Sequence, residues 1–220
     1  MLSAIRFLLS GVCHQLPSHS YWVGGQPLPL CARCSGTFLG IWAGLLALRA
    51  MGRHRRTGMP AGPTAWALGA LAVAWAADGA NSFIADGLGR ALYQPTNLLR
   101  LITGAGMGVA LSAVVAPLLA LALAPGDDNR PVVAPAIDTT ALLAAAGMVV
   151  AVVATGSRLP FIVWTWTLGL ATLSAVALLN AVLVRQAMVH WPPGAVWAGG
   201  VLLAIAEMLV MAGLRQLVGV

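Results

Sequence analysis

Several stretches of the chain are long enough and apolar enough to cross a lipid bilayer as helices. Hydrophobic residues make up 60% of the 220 residues, only 8% are charged, and the mean hydropathy is +0.88. A helix rises about 1.5 Å per residue, so roughly 20 apolar residues span a hydrocarbon core about 30 Å thick. Because alternating strand patterns are absent, we predict an all-α, polytopic membrane helix bundle and no barrel.

The apolar stretches predict about six transmembrane helices after a short N-terminal interfacial helix. Residues Met1 to Val12 are apolar, but at about 18 Å as a helix they are too short to span. A proline-rich loop after the third span predicts a front unit, residues 1–125, and a back unit, residues 126–220, with three further helices of unassigned role. The six spans are predicted at Cys34 to Ala50, Thr64 to Ala85, Asn97 to Ala124, Thr139 to Thr155, Pro160 to Val189 and Gly194 to Leu214.

The positive charge of the chain indicates a membrane partner. The net charge of +6 comes from arginine alone, and the arginines are spread over many loops, which argues against a nucleic-acid partner. The dense run Arg53-His54-Arg55-Arg56 predicts contact with anionic headgroups on the cytoplasmic face. We therefore expect a multi-pass protein of a prokaryotic plasma membrane, with the lipid bilayer as partner and the cysteine-bearing face outside the cell.

All three cysteines lie in the first 34 residues, which predicts one shared site. Cys31 and Cys34 form a Cys-x-x-Cys pair, a spacing that presents two sulfurs to a tetrahedral zinc ion, and Cys13 can supply a third. The fourth ligand could be a histidine, an aspartate or water. Zinc is therefore the expected cofactor. The side chains considered as fourth ligand are His14, His19 and Asp78.

Polar residues of two later helices are predicted to lie on the same side of the membrane as the cysteines. The antiparallel order of the helices brings together the end of the second span, with Asp78 and Asn81, and the start of the third, with Asn97 and Arg100. Buried charges in a membrane are costly, so Asp78 and Arg100 should be paired or face water. One interpretation is a structural ion pair. The other is a site in which Arg100, Asn97 and Asn81 bind an anion and Asp78 acts as ligand or base.

Glycines spaced four residues apart predict which helices pack most closely. The first span carries Gly36, Gly40 and Gly44, and the third carries Gly104 and Gly108. Small residues at this spacing let helix backbones approach each other in lipid. We therefore expect the first and third spans to pack together and to bring the cysteine pair within reach of the first turn of the third span.

Several of these residues occur in motifs that resemble the DUF2085 family of predicted bacterial and archaeal membrane proteins. The resemblance covers roughly residues 10 to 125. It implies a small helical membrane fold and a shared site but no established reaction, because the family is a domain of unknown function. His19 stands where a basic residue, often arginine, is expected. The motifs are Cys13-His14-Gln15, Leu28-Pro29-Leu30-Cys31-Ala32-Arg33-Cys34-Ser35-Gly36, Asp78-Gly79, Asn97-Leu98-Leu99-Arg100 and Thr103-Gly104.

Three functions follow from these patterns. The first is a metal-dependent enzyme that acts on a lipid or phosphate-bearing small molecule. The second is a membrane thiol-disulfide oxidoreductase that uses Cys31 and Cys34. The third is a non-enzymatic carrier or assembly factor in which the metal pins the loop to the bundle. In the first hypothesis the metal ligands are Cys13, Cys31, Cys34 and His14, and the catalytic residues are His14, Asp78 and Arg100.

Overall fold

The computed structural model describes residues 2–123, 128–133 and 136–218, and in these ranges the protein is a helix bundle. The predicted fold class is therefore confirmed. The predicted end of the third span at Ala124 and the unit boundary at residue 125 lie outside the described residues. The helices are α1 (Leu2–Ser10), α2 (Ala32–Ala50), α3 (Gly62–Leu88), α4 (Asn97–Leu123), α5 (Ala136–Thr155), α6 (Phe161–Ala187) and α7 (Pro193–Val218). The short strands are β1 (Trp22–Val23), β2 (Gln26–Pro27), β3 (Arg56–Gly58) and β4 (Asp128–Pro131).

Five of the described helices, α3 to α7, are long and apolar enough to cross a membrane. The first predicted span, α2, is not among them, because Arg33 and Arg49 near its two ends lower its mean hydropathy. It also begins at Ala32, earlier than the predicted Cys34. With 19 residues α2 is nevertheless about 28 Å long, and it packs against α4, α5 and α6 inside the bundle. Its neighbours therefore shield the helix that hydropathy supports least.

The glycines of α2 and α4 meet face to face, as their spacing predicted. A Cβ atom added at Gly36 would lie 2.6 Å from the carbonyl oxygen of Leu101, and one at Gly40 would lie 2.7 Å from that of Ala105. A Cβ at Gly104 would overlap the main chain at Arg33. The prediction that these two helices pack through glycine is confirmed, and the contact brings the start of α2 against the first turns of α4.

The helices alternate between two membrane faces. The cysteine face contains the start of α2, the end of α3 and the start of α4, whereas the opposite face, here called the basic face, carries residues 49–56. At the basic face β3 pairs in parallel with β4. Arg53 there lies 3.1 Å from the carboxylate of Asp138, at the start of α5. These links join the front and back halves of the chain, and strands this short gave no alternating pattern by which to predict them.

Replacing Gly104 with alanine should destabilise the bundle, because the added methyl group meets backbone and not a movable side chain. We expect Gly104→Ala to lower the free energy of unfolding by about 1 to 3 kcal/mol, which is typical of overpacking. The measurement is the thermal unfolding midpoint in detergent. Gly147→Ala on α5 is the matched control, because a Cβ there meets nothing within 4 Å. Equal midpoints for both variants would contradict the close packing of α2 on α4.

Candidate metal centre

The Sγ atoms of Cys13, Cys31 and Cys34 all lie within 4.8 Å of one another, and all three cysteines are free. No histidine, aspartate or glutamate of the described residues joins this cluster. A tetrahedral zinc ion with Zn–S bonds of about 2.3 Å holds its sulfurs about 3.8 Å apart. The three thiols therefore have the spacing and the chemistry to hold a metal ion.

Main-chain N–H groups point at two of the sulfurs. Cys31 is the N-cap of α2, and its Sγ accepts a hydrogen bond from the N–H of Cys34 at 3.5 Å. The Sγ of Cys13 accepts from the N–H groups of Gln15 and Cys31, at 3.4 and 3.3 Å. Such donors, together with the positive end of the helix dipole, stabilise the thiolate, which is the form that binds metal. The motif spacing thus places the sulfurs of Cys13 and Cys31 where main-chain N–H groups donate to them.

Gln15 shapes the loop that carries Cys13. Its φ of +55° lies in the left-handed region, which non-glycine residues rarely adopt. The side-chain Nε2 donates to the carbonyl oxygens of Arg6 at 2.8 Å and Pro29 at 2.9 Å, so it ties α1 to the segment before Cys31. The third residue of the Cys13-His14-Gln15 motif is therefore a positioning residue, a role that the sequence analysis missed.

The last helix also supports this loop. Arg215, near the end of α7, donates to the carbonyl oxygens of Ser10 at 3.2 Å and His14 at 2.6 Å, and to that of Cys13. These contacts join segments about 200 residues apart in sequence. One role of the back half, which the sequence left unassigned, is thus to hold the main chain that carries the first cysteine.

The three thiols influence each other's ionisation. The pKa of the Cys31 thiol is lowered, first by its side-chain hydrogen bonds with Cys13 and Cys34, and further by the nearby charge of Arg33. The pKa of the Cys13 thiol is raised, chiefly by its side-chain hydrogen bond with Cys31. The first proton therefore leaves easily, while a second thiolate would add like charge next to the first. A bound cation would remove this repulsion.

A cavity of about 540 Å³ borders all three cysteines. Its wall also contains His14, His19, Arg33, Asp86 and Trp75. The indole N–H of Trp75 is buried and has no hydrogen-bond partner among the described residues. The cavity therefore gives a small molecule access to the thiol cluster, beside the basic groups of its wall.

Asp78 is held in place by three other side chains. It is 1% exposed, and it accepts hydrogen bonds from Arg33, from the Tyr93 hydroxyl at 2.9 Å and from the Thr103 hydroxyl at 3.3 Å. Arg33 also donates to the hydroxyl of Ser82 at 2.9 Å. Asp78 therefore forms a buried ion pair, but with Arg33 and not with Arg100. Its predicted role as ligand or base stays a prediction, and it does not belong to the thiol cluster.

The two predicted asparagines bind loops. Asn81 donates to the carbonyl oxygen of Tyr93 and accepts from the N–H of Leu92, at 2.9 and 2.8 Å. Asn97 donates to the carbonyl oxygens of Ser18 and Ser20, both at 3.2 Å. Each side-chain amide thus already makes hydrogen bonds to main-chain groups. The predicted role of the two asparagines in anion binding stays a prediction.

Arg100 reaches the cavity through His19. It is 5% exposed, and its guanidinium donates to Asn97 Oδ1 and lies 3.0 Å from His19 Nε2. The same His19 nitrogen lies 3.2 Å from Asp86 Oδ1. The Nε–H of Arg100 has no partner among the described residues, and no described carboxylate pairs with it directly. Arg100 itself is not part of the cavity wall, so its role as anion ligand stays a prediction.

Removing the charge of Asp78 should destabilise the protein strongly, because it leaves the Arg33 guanidinium without its counter-ion. Breaking one side of a buried ion pair typically costs about 3 to 5 kcal/mol, so Asp78→Asn should lower the unfolding midpoint in detergent markedly. Asp86→Asn is the matched control, because that carboxylate is 46% exposed and bonds only to His19 among the described residues. For this variant we expect a change under about 1 kcal/mol. Equal effects of the two variants would contradict the structural role of Asp78.

Two comparisons with known proteins found a match, and one of them covers the segment that builds this site. The archaeal "Uncharacterized protein MJ1492" of Methanocaldococcus jannaschii is similar to the chain, with 27% identity over 107 residues. That region is 49% of this chain and 63% of the relative, so the chain spans less than two thirds of the relative's length. No solved structure matches the chain. Residues 13–114 match the family described as "Predicted membrane protein (DUF2085)", so the resemblance predicted from the sequence is confirmed over the segment that contains the three cysteines, Asp78 and Arg100.

Proposed function

We propose that Cys13, Cys31 and Cys34 bind a zinc ion that acts on a lipid or phosphate-bearing substrate at the membrane surface. The observation that carries this proposal is the convergence of three free sulfurs, within 4.8 Å, at the wall of one cavity. Structural zinc sites are closed by four protein ligands, whereas catalytic sites keep one position open. No fourth side chain of the described residues joins the thiols, which favours the open type.

The residues around the cavity suggest a division of roles. When bound, a zinc ion supplies Lewis-acid polarisation or activates water. His14 is exposed at the cavity and follows Cys13 directly. Since adjacent side chains rarely bind one ion together, we assign His14 to proton transfer and keep metal ligation as its alternative. His19, held by Arg100 at 3.0 Å, is in position to contact an anionic group of the substrate.

The density of arginines in one short segment supports a proposal for the membrane orientation. Arg53, Arg55 and Arg56 lie within one stretch of four residues after α2, whereas about half of the twelve arginines lie on each face of the bundle. The positive-inside tendency assigns the basic face to the cytoplasm of a prokaryotic cell. The thiol cluster and its cavity would then face the outside.

A thiol-disulfide exchange is the second candidate, because the same three sulfurs are free and close together. In that reaction one thiolate attacks a partner disulfide and forms a mixed disulfide, while one partner sulfur leaves as a thiolate. A second cysteine thiolate then attacks the sulfur of the first, which releases the other partner sulfur as a thiolate and leaves a disulfide between the two cysteines. The metal site is favoured because three sulfurs converge, whereas exchange needs two.

Metal analysis of the purified full-length protein tests the proposal. We expect about one zinc per chain in the wild type and less than about a tenth of an equivalent in Cys31→Ser and Cys34→Ser, because two thiolates bind zinc far more weakly than three. His14→Ala and His54→Ala form a matched pair of histidine variants. His14 borders the thiol cavity, whereas His54 lies on the basic face and serves as the control. His54→Ala should keep the metal. Less than about a tenth of an equivalent in the wild type, together with a trapped mixed disulfide in Cys34→Ser, would favour exchange.

Cobalt replacement distinguishes an open site from a closed structural one. Tetrahedral Co²⁺ has visible absorption bands that change when a new ligand enters its coordination sphere. We expect added inorganic phosphate to change these bands in the wild type, because the three cysteines border a cavity through which an anion could reach a bound ion. Bands that do not respond to any added anion would indicate a closed structural metal site and contradict the catalytic proposal.

A further inference from the structure

A second cavity lies at the basic face, at the opposite end of the bundle from the thiols. It has a volume of about 260 Å³ and lies between α2, α4, α6 and α7. Its walls are almost entirely apolar, so they favour hydrocarbon over a polar ligand. Side chains that form them include Trp42, Leu45, Leu119, Leu178 and Trp197.

Two basic side chains, Arg49 and His54, border the same cavity. Arg49 lies in the last turn of α2, seven residues after Trp42 and therefore on the same side of the helix. These seven residues correspond to about 10 Å along the axis. The cavity thus extends from the level of the lipid headgroups into the hydrocarbon region, with its positive end outermost.

Arg49 and His54 also differ from most other cations of this face, because their side chains have no hydrogen-bond or ion-pair partner within the described ranges. Arg53 pairs with Asp138, and Arg56 and Arg130 pair with Asp128. Arg185 donates to the carbonyl oxygens of Val189 and Trp191 at 3.0 and 2.9 Å. These other arginines are paired with carboxylates or main-chain carbonyl groups, whereas the side chains of Arg49 and His54 remain available to bind an external anion.

We propose that this cavity binds one anionic phospholipid, with an acyl chain between the helices and the phosphate at Arg49 and His54. The apolar wall and the basic rim match the two ends of such a molecule. A soluble anion would use only the rim, and a neutral lipid would use only the wall. If the basic face is cytoplasmic, it also lies in the leaflet in which anionic lipids attract basic side chains.

Native mass spectrometry of the full-length protein tests this site with defined lipids. The detergent-solubilised protein is mixed with equal amounts of phosphatidylglycerol and phosphatidylcholine. We expect the wild type to retain one phosphatidylglycerol in preference to phosphatidylcholine. Arg49→Gln should weaken this retention about fivefold, which is the factor expected for one basic residue near the headgroups.

Two further variants separate the site from general surface charge. Arg55→Gln removes the same charge from the loop that follows α2, but Arg55 does not border this cavity, so retention should equal that of the wild type. Leu119→Trp places a larger side chain in the apolar part of the cavity. It should abolish retention of the phospholipid although Arg49 and His54 remain. An unfolding midpoint close to that of the wild type verifies that each variant is folded.

The proposal is overturned if Arg55→Gln weakens retention as much as Arg49→Gln, because the effect would then be one of overall charge. It is also overturned if phosphatidylcholine is retained equally, or if excess inorganic phosphate displaces the phosphatidylglycerol. None of these results depends on the zinc content, so the lipid site and the metal centre are tested independently.

Discussion

The buried ion pair between Arg33 and Asp78 is the interaction on which the rest of the cysteine face depends. A single charge inside a membrane protein is costly, so each of these groups requires the other. Asp78 on α3 also accepts hydrogen bonds from Tyr93, in the loop before α4, and from Thr103 on α4. Arg33 lies between Cys31 and Cys34. The contact that joins α2, α3 and α4 therefore also fixes the orientation of the Cys-x-x-Cys turn.

Helix packing and the candidate site use the same stretch of α2. The main chain at Arg33 rests on Gly104, where any side chain would push the two helices apart. Cys13 comes from a separate loop, which Gln15 ties to Pro29 and Arg215 ties to α7. The thiol cluster is thus assembled from distant segments. Its geometry is a property of the whole bundle, and the motif by itself supplies only the sulfurs.

Hydropathy and glycine spacing predicted most of the fold, because in a bilayer span length and close backbone approach are set by simple patterns of residues. The convergence of the three cysteines followed from their clustering in the first 34 residues, and the approach of the end of α3 and the start of α4 to them followed from the antiparallel order of the helices. The partner of Asp78 did not, since Arg33 and Arg100 lie at similar depth and only side-chain packing distinguishes them. The left-handed turn at Gln15 and the contact of Arg215 with a loop about 200 residues away leave no local pattern in the sequence.

The helix that hydropathy supports least, α2, contributes most to both candidate sites. Its first turn carries two of the three cysteines, and its last turn carries Arg49 at the rim of the second cavity. The two arginines that lower its hydropathy thus lie at the two candidate sites, and while Arg33 pairs with Asp78, the side chain of Arg49 has no partner among the described residues. Such a helix is unfavourable against lipid, and it packs against α4, α5 and α6. This packing is therefore what allows one helix to carry polar groups at both ends.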